Sequence, residues 1–270
     1  MAGVLIALEG IDGCGKSTQA ALLLERLKDA GVPVGPAGSP GVVREPGATP
    51  AGERIRDLLL HESGHIEPWA EALLYAAARA QLAGRVLRPA LDEGLVVVLD
   101  RYVDSSLAYQ GWARGLGVSE VFGLNMLATG RLLPALTVVL RIPVDEAVAR
   151  WSARRDRIEA EGRRFQAKVA KGYEHVLDTF PNRVVAVEAT GEREQIADRV
   201  WALVAPLLAA RGFLAERVAT QAAAAAAAAA AEGASQDSAS ADGAQAPTAE
   251  SASAGNAQAP VGWDLSEPET

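Results

Sequence analysis

The sequence predicts an α/β fold in which a parallel sheet is covered by helices on both faces, and three observations predict it. Short apolar runs recur between longer helical patterns, the runs are apolar throughout, and the first is followed at once by a glycine-rich turn and a helix. A strand buried on both faces has no polar side to show, so the absence of alternation marks these strands as interior.

Taken in order, the strand candidates are residues 4–9, a weaker 42–44, 96–100, 136–141 and 183–187, which makes a five-stranded sheet. Helical patterns occupy 17–30, stopped by Gly31, and 49–61, entered through Thr49-Pro50. Others follow at 68–82, 104–113, 119–129, 143–154, 163–180 and 192–210. Residues 32–43 hold three prolines and three glycines where a second strand belongs, so an insertion with a shortened strand is expected there.

Composition changes near residue 212. Residues 1–211 read as one domain, and 212–270 as a disordered, Ala-rich acidic tail with ten consecutive alanines, Ala222 to Ala231. That tail holds eight acids against the single base Arg217, so it carries −7 of the chain's net −8. The body is therefore close to neutral, without the basic surface that nucleic-acid binding needs, and no nucleic-acid partner is expected. The single cysteine, Cys14, cannot form an internal disulfide, and no secretory leader or membrane span is visible. A cytoplasmic protein with no membrane attachment is the expectation.

The chemistry concentrates first in Gly10-Ile11-Asp12-Gly13-Cys14-Gly15-Lys16-Ser17, followed by Thr18. It fits the P-loop pattern G-x-x-x-x-G-K-S/T in the required strand-to-helix context. The glycines let backbone N–H groups turn onto phosphates, and the helix N-terminus adds partial positive charge. Lys16 is expected to bridge the β- and γ-phosphates of ATP, and Ser17 to ligate Mg²⁺. A guanine-reading Asn-Lys-x-Asp is absent, which sets GTPase switches aside. The strand at 96–100 ends in Asp100, placed to hold Mg²⁺ through water at the carboxyl edge of the sheet, and Arg101 next to it suits a phosphoryl group passing between two anions.

The stretch Asp100-Arg101-Tyr102-Val103-Asp104-Ser105-Ser106-Leu107-Ala108-Tyr109-Gln110-Gly111 resembles the DRY-x-D-S-S-x-A-Y-Q-G block of thymidylate kinases. Arg44-Glu45-Pro46-Gly47, the run Glu71 to Gln81, and Asp156-Arg157-Ile158-Glu159 keep the order of the same family. The resemblance covers about residues 4–210. It implies the P-loop nucleoside monophosphate kinase fold, a homodimer, and transfer of phosphate from ATP to dTMP to give dTDP, a step toward dTTP. On this resemblance Tyr75 stacks on thymine and Arg79 hydrogen-bonds the base, and their i, i+4 spacing puts both on one helix face. Ser106, Tyr109 and Gln110 line base and sugar, with Tyr109 crowding a 2′-hydroxyl, while Asp12 faces the acceptor's sugar and Arg44 belongs to the substrate set. Arg154, Arg155 and Arg157 resemble a lid that closes over ATP, which suits a P-loop with Gly13 where some relatives place an arginine. Two other readings stay open at the level of sequence: a monophosphate kinase for another base, and a nucleotide-binding regulator without turnover.

Overall fold

The computed structural model describes residues 2–36, 42–61, 64–151, 156–218 and 220–225. The chain divides into a body, Met1–Ala230, and a second unit, Ala231–Thr270, which lies outside the described residues, as does the expected tail from 226 onward.

The sheet is parallel throughout. Its strands are β1 (Val4–Glu9), β2 (Val34–Gly35), β3 (Val43–Arg44), β4 (Val96–Asp100), β5 (Leu136–Arg141) and β6 (Val184–Glu188). Both β2 and β3 pair with the same side of β4, Val34 opposite Val96 and Val43 opposite Leu99, so the order across the sheet is β2/β3, β4, β1, β5, β6. Among the described residues six strands thus fill five positions. The Pro- and Gly-rich insertion splits one edge strand into two short pieces; residues 37–41 between them lie outside the described set. Every residue of β1 and β4 is buried, as their unbroken apolar runs require.

The helices are α1 (Lys16–Asp29), α2 (Pro50–His61), α3 (Pro68–Leu82), α4 (Arg88–Asp92), α5 (Val103–Ser106), α6 (Val118–Thr129), α7 (Val144–Ala149), α8 (Gly162–Thr179) and α9 (Arg193–Ala210). Two helical stretches are wider than expected: Ala83–Leu87, joining α3 to α4, and Leu107–Ala113, continuing α5, are wound as π-helix. The first precedes Pro89, whose missing N–H cannot serve the preceding turn. The second replaces the regular α-helix expected over 104–113. The helix expected over 143–154 closes at Ala149, with residues 152–155 outside the described set.

Three interactions hold the layers that carry the site. Helix α1 is tied to α9 by Arg26 to Asp198 at 2.7 Å and by Gln19 Nε2 to the Arg193 carbonyl at 2.9 Å. Helix α8 meets the 107–113 segment at Gly172, where an added Cβ would lie 2.7 Å from the Ala108 carbonyl oxygen. Asp104, fully buried, accepts both Nη atoms of Arg183 and the Thr137 hydroxyl, each at 2.8 Å, and so joins α5 to β5 and to the start of β6. Packing continues past residue 211, since Leu214 and Ala222 are buried against the core.

Removing one charge from the Asp104–Arg183 pair leaves a partly buried guanidinium uncompensated. Asp104→Asn is expected to lower stability by about 3 kcal/mol, read as a fall in the urea midpoint; an unchanged midpoint would show that the pair contributes nothing net.

Candidate functional site

The P-loop runs from the end of β1 into α1. The first-turn amides of that helix have no intrahelical partner, and among the described residues no side chain caps them, so they point out of the N-terminus. Gly13 has φ +88°, and a Cβ there would sit 2.2 Å from the Ala147 carbonyl oxygen of α7. The tight approach of α7 therefore bars a side chain from this loop position. Lys16 is buried, with Nζ donating to the Ile11 carbonyl at 2.9 Å and lying 3.7 Å from Cys14 Sγ. The Ser17 hydroxyl donates to Asp100 Oδ2 at 2.5 Å, which joins the P-loop helix to the end of β4. Oxygen ligands of this kind suit a hard divalent cation that keeps most of its water. Among the described residues no group of three or more His, Cys, Asp or Glu could hold a metal ion, so bound phosphates and water would complete such a shell.

Arg101 leaves β4 with φ +73°, a conformation uncommon outside glycine, while its N–H donates to the Leu8 carbonyl of β1 at 3.0 Å. That turn aims the guanidinium back over the P-loop. Nη2 reaches Asp12 Oδ1 at 2.5 Å and the Tyr109 hydroxyl at 3.2 Å, and Nη1 reaches the Gly10 carbonyl, Ser105 Oγ and the Tyr173 hydroxyl. Asp12 Oδ2 accepts from the Tyr109 hydroxyl at 2.9 Å and from Gln166 Nε2 at 2.8 Å. Burial alone would raise the Asp12 pKa, but Arg101 and Lys16 outweigh it and hold the carboxyl below its usual range. Behind Arg101, fully buried Glu9 accepts from the Tyr102 and Ser105 amides and from the Ser105 and Tyr173 hydroxyls.

A cleft opens beside this pair. Asp12, Tyr75, Arg79, Arg101, Ser106, Tyr109 and Gln110 all line it, so every residue expected to face the acceptor is there except Arg44. Arg79 is buried in the wall. Its Nε and Nη2 donate to Glu45 Oε2 at 2.9 and 2.8 Å, and its Nη1 donates to Ser106 Oγ at 2.9 Å and to Asn125 Oδ1. The other Glu45 oxygen, Oε1, is buried and has no hydrogen-bond partner among the described residues. Burial of Tyr75 pushes its phenol pKa up, so the side chain stays neutral.

Two expected site residues lie elsewhere. Arg44 is exposed and faces Glu53 at 3.4 Å. Arg157, expected in the lid over ATP, donates to the Leu59 carbonyl at 2.7 Å and to Glu71 at 2.6 Å, and does not itself line the cleft, although its neighbours Asp156 and Ile158 do. Arg154 and Arg155 lie outside the described residues. Sequence reasoning assigns no role to Glu9, Glu45, Arg56, Glu71 or Gln166. Glu9 ends the first apolar run, Glu45 sits inside the Arg44-Glu45-Pro46-Gly47 motif and Glu71 opens the Glu71 to Gln81 run, so all three carry a signal; Arg56 and Gln166 look like ordinary polar helix positions.

Burial lifts the Glu9 carboxyl to about 7, against the pull of Arg101 and its hydrogen bonds. A carboxyl raised above its unfolded value stabilises the fold fully below that unfolded value, and the stabilisation is lost as pH rises through the folded one. Stability is therefore expected to fall between about pH 4.5 and 7, by up to roughly 3 kcal/mol from this group. Urea midpoints of Glu9→Gln should show a shallower fall over this window than the parent; parallel slopes would contradict the assignment.

The thymidylate kinase family model matches residues 8–200 of the chain. Among curated relatives, a thymidylate kinase of Clavibacter sepedonicus is 46% identical over 213 residues, covering 78% of this chain and 98% of that protein. A thymidylate kinase of Synechococcus sp. (strain JA-2-3B'a(2-13)) is 44% identical over 205 residues, covering 76% and 96%. A thymidylate kinase of Syntrophotalea carbinolica is 43% identical over 205 residues, covering 73% and 92%. With the P-loop, Asp100 and the lined cleft in one body, these matches place the chain in the thymidylate kinase family.

Proposed function

We infer that the chain phosphorylates dTMP to dTDP with ATP. The observation that carries this reading is the position of Arg101, which is bonded to Asp12 of the P-loop and lines the same cleft as Tyr75, Arg79, Ser106 and Gln110. In this reading the P-loop receives a nucleoside triphosphate, the cleft receives a base and sugar, and a fixed cation touches both.

In the proposed mechanism the P-loop amides and Lys16 hold the donor phosphates, with Lys16 leaving the Ile11 carbonyl for phosphate oxygens. A phosphate oxygen of dTMP attacks the γ-phosphorus in line, a P–O bond forms, the bridge to the β-phosphate breaks, and ADP departs with that oxygen. The acceptor is already an anion, so no protein base is needed and positioning with charge stabilisation does the work. Arg101 supplies fixed positive charge to the moving group from a site where Asp12, Tyr109 and Tyr173 already orient it. Ser17 and Asp100 would hold Mg²⁺, which supplies charge neutralisation on the β- and γ-phosphates.

At the acceptor end, Tyr75 covers one face of the base and Arg79 donates to its edge, while Tyr109, pinned by Asp12, crowds the sugar where a ribose would carry its 2′-hydroxyl. Arg154 and Arg155 belong to the proposed lid over ATP. A homodimer is also proposed: Trp69 and Leu73, one turn apart on α3, are large exposed apolar side chains that a second copy would cover. Among the described residues no helix is long and apolar enough to cross a membrane.

Arg79→Ala is expected to lower kcat/KM for dTMP by about 100-fold, the scale of a lost hydrogen bond to a charged group, while the KM for ATP changes little. Steady-state rates with a panel of nucleoside monophosphates check it. An equal loss for donor and acceptor would remove the base-reading assignment, and transfer to no acceptor by the parent chain would remove the kinase reading.

A further inference from the structure

The amide of Gln110 lines the cleft, yet its orientation is decided from behind. Gln110 is buried on the π-helical segment, one turn after Ser106, and its Nε2 donates to Glu71 Oε1 at 2.8 Å. An amide presents nearly the same shape whichever way it turns, so its partner decides whether the oxygen or the NH₂ faces a ligand. Glu71 is 1% exposed, stands on α3 and does not line the cleft.

Its carboxylate is saturated with donors. Oε1 accepts from Gln110 and from Arg114 Nε at 3.2 Å; Oε2 accepts from Arg114 Nη2 at 3.1 Å and Arg157 Nη2 at 2.6 Å. Both arginines are anchored elsewhere, Arg114 to Glu161 and Arg157 to the Leu59 carbonyl. Burial would raise the Glu71 pKa, but the bonds from Gln110 and Arg114 and the charges around it reverse that, holding the carboxyl below its usual range. Glu71 therefore accepts only, and it can take only the NH₂ of Gln110.

We propose that Glu71 is a positioning residue for base choice: by holding Gln110 Nε2 behind the cleft, it turns Oε1 toward the base. This rests on the thymidylate reading above. The base end of the cleft then pairs an acceptor, Gln110 Oε1, with a donor-only group, the Arg79 guanidinium. A 4-oxopyrimidine offers N3–H and O4 to such a pair. A 4-aminopyrimidine offers a bare N3 and an NH₂, so lone pair meets lone pair and N–H meets N–H, the mismatch that costs most when desolvated.

The test compares kcat/KM for dTMP and 5-methyl-dCMP, which match in size and methylation, on the full chain and on Glu71→Gln and Glu71→Asp. Glutamine at 71 can donate its own NH₂ to Gln110, so the amide is free to turn over. Glu71→Gln is expected to lower the dTMP preference by about 10-fold or more, through KM for dTMP, with kcat and KM for ATP near those of the parent. Glu71→Asp keeps the charge and is expected to keep the preference. Equal preferences in both variants would overturn the proposal. A second measurement needs no variant: the parent chain should use N3-methyl-dTMP about 10-fold less well than dTMP, and equal use would also overturn it. Should the parent transfer phosphate to no pyrimidine monophosphate, the thymidylate reading itself falls; should it use dTMP while Glu71→Gln retains the preference, only the role of Glu71 falls.

Discussion

Everything at this site depends on the parallel pairing of β1 with β4. Val4 lies opposite Val96 and the register holds to Leu8 opposite Asp100, so both strands finish at one edge of the sheet. The P-loop leaves that edge from β1, and Arg101 leaves it from β4. A one-residue slip would turn Asp100 to the other face of the sheet and part it from Ser17. Complete burial of both strands keeps the register from slipping, and the bond from the Arg101 amide to the Leu8 carbonyl fixes the last step before the chain turns.

A second constraint is electrostatic. Four arginines in or behind the cleft are assigned to a buried or partly buried acid: Arg101 to Asp12, with Glu9 behind it, Arg79 to Glu45, and Arg114 and Arg157 to Glu71, while Arg56 donates to the Pro46 carbonyl. Buried pairs of this kind are poor sources of stability because desolvation offsets their attraction. They do fix guanidinium positions before a nucleotide arrives, which lessens the reorganisation that binding and transfer would demand. The raised pKa of Glu9 shows that cost in one residue.

The parts of the molecule legible in the sequence are those where a local pattern and the tertiary role coincide. The runs of β1 and β4 are apolar because they are buried on both faces, α3 begins at a proline that suits a first turn, and the P-loop spacing is dictated by phosphate geometry. Legibility fails where a partner distant in sequence decides. Glu71 and Arg157 each sit in a stretch that resembles the family, but their pairing across 86 positions arises only on folding. The insertion and the short strand at β3 are visible in the sequence, but β2, two residues long, is too short for a period to register. The π-helical turn at Leu107–Ala113 carries Tyr109 and Gln110 into the cleft, yet its composition does not differ from that of a regular helix.

The central claim is that the β1–β4 edge sets one arginine between donor and acceptor. It is tested most directly by the turnover of Arg101→Ala with ATP and dTMP, alongside direct binding of each nucleotide. The account predicts a kcat lower by about 10³-fold, with both nucleotides still bound, because charge at that point matters most while the phosphoryl group is in flight. A kcat within a few-fold of the parent would contradict it.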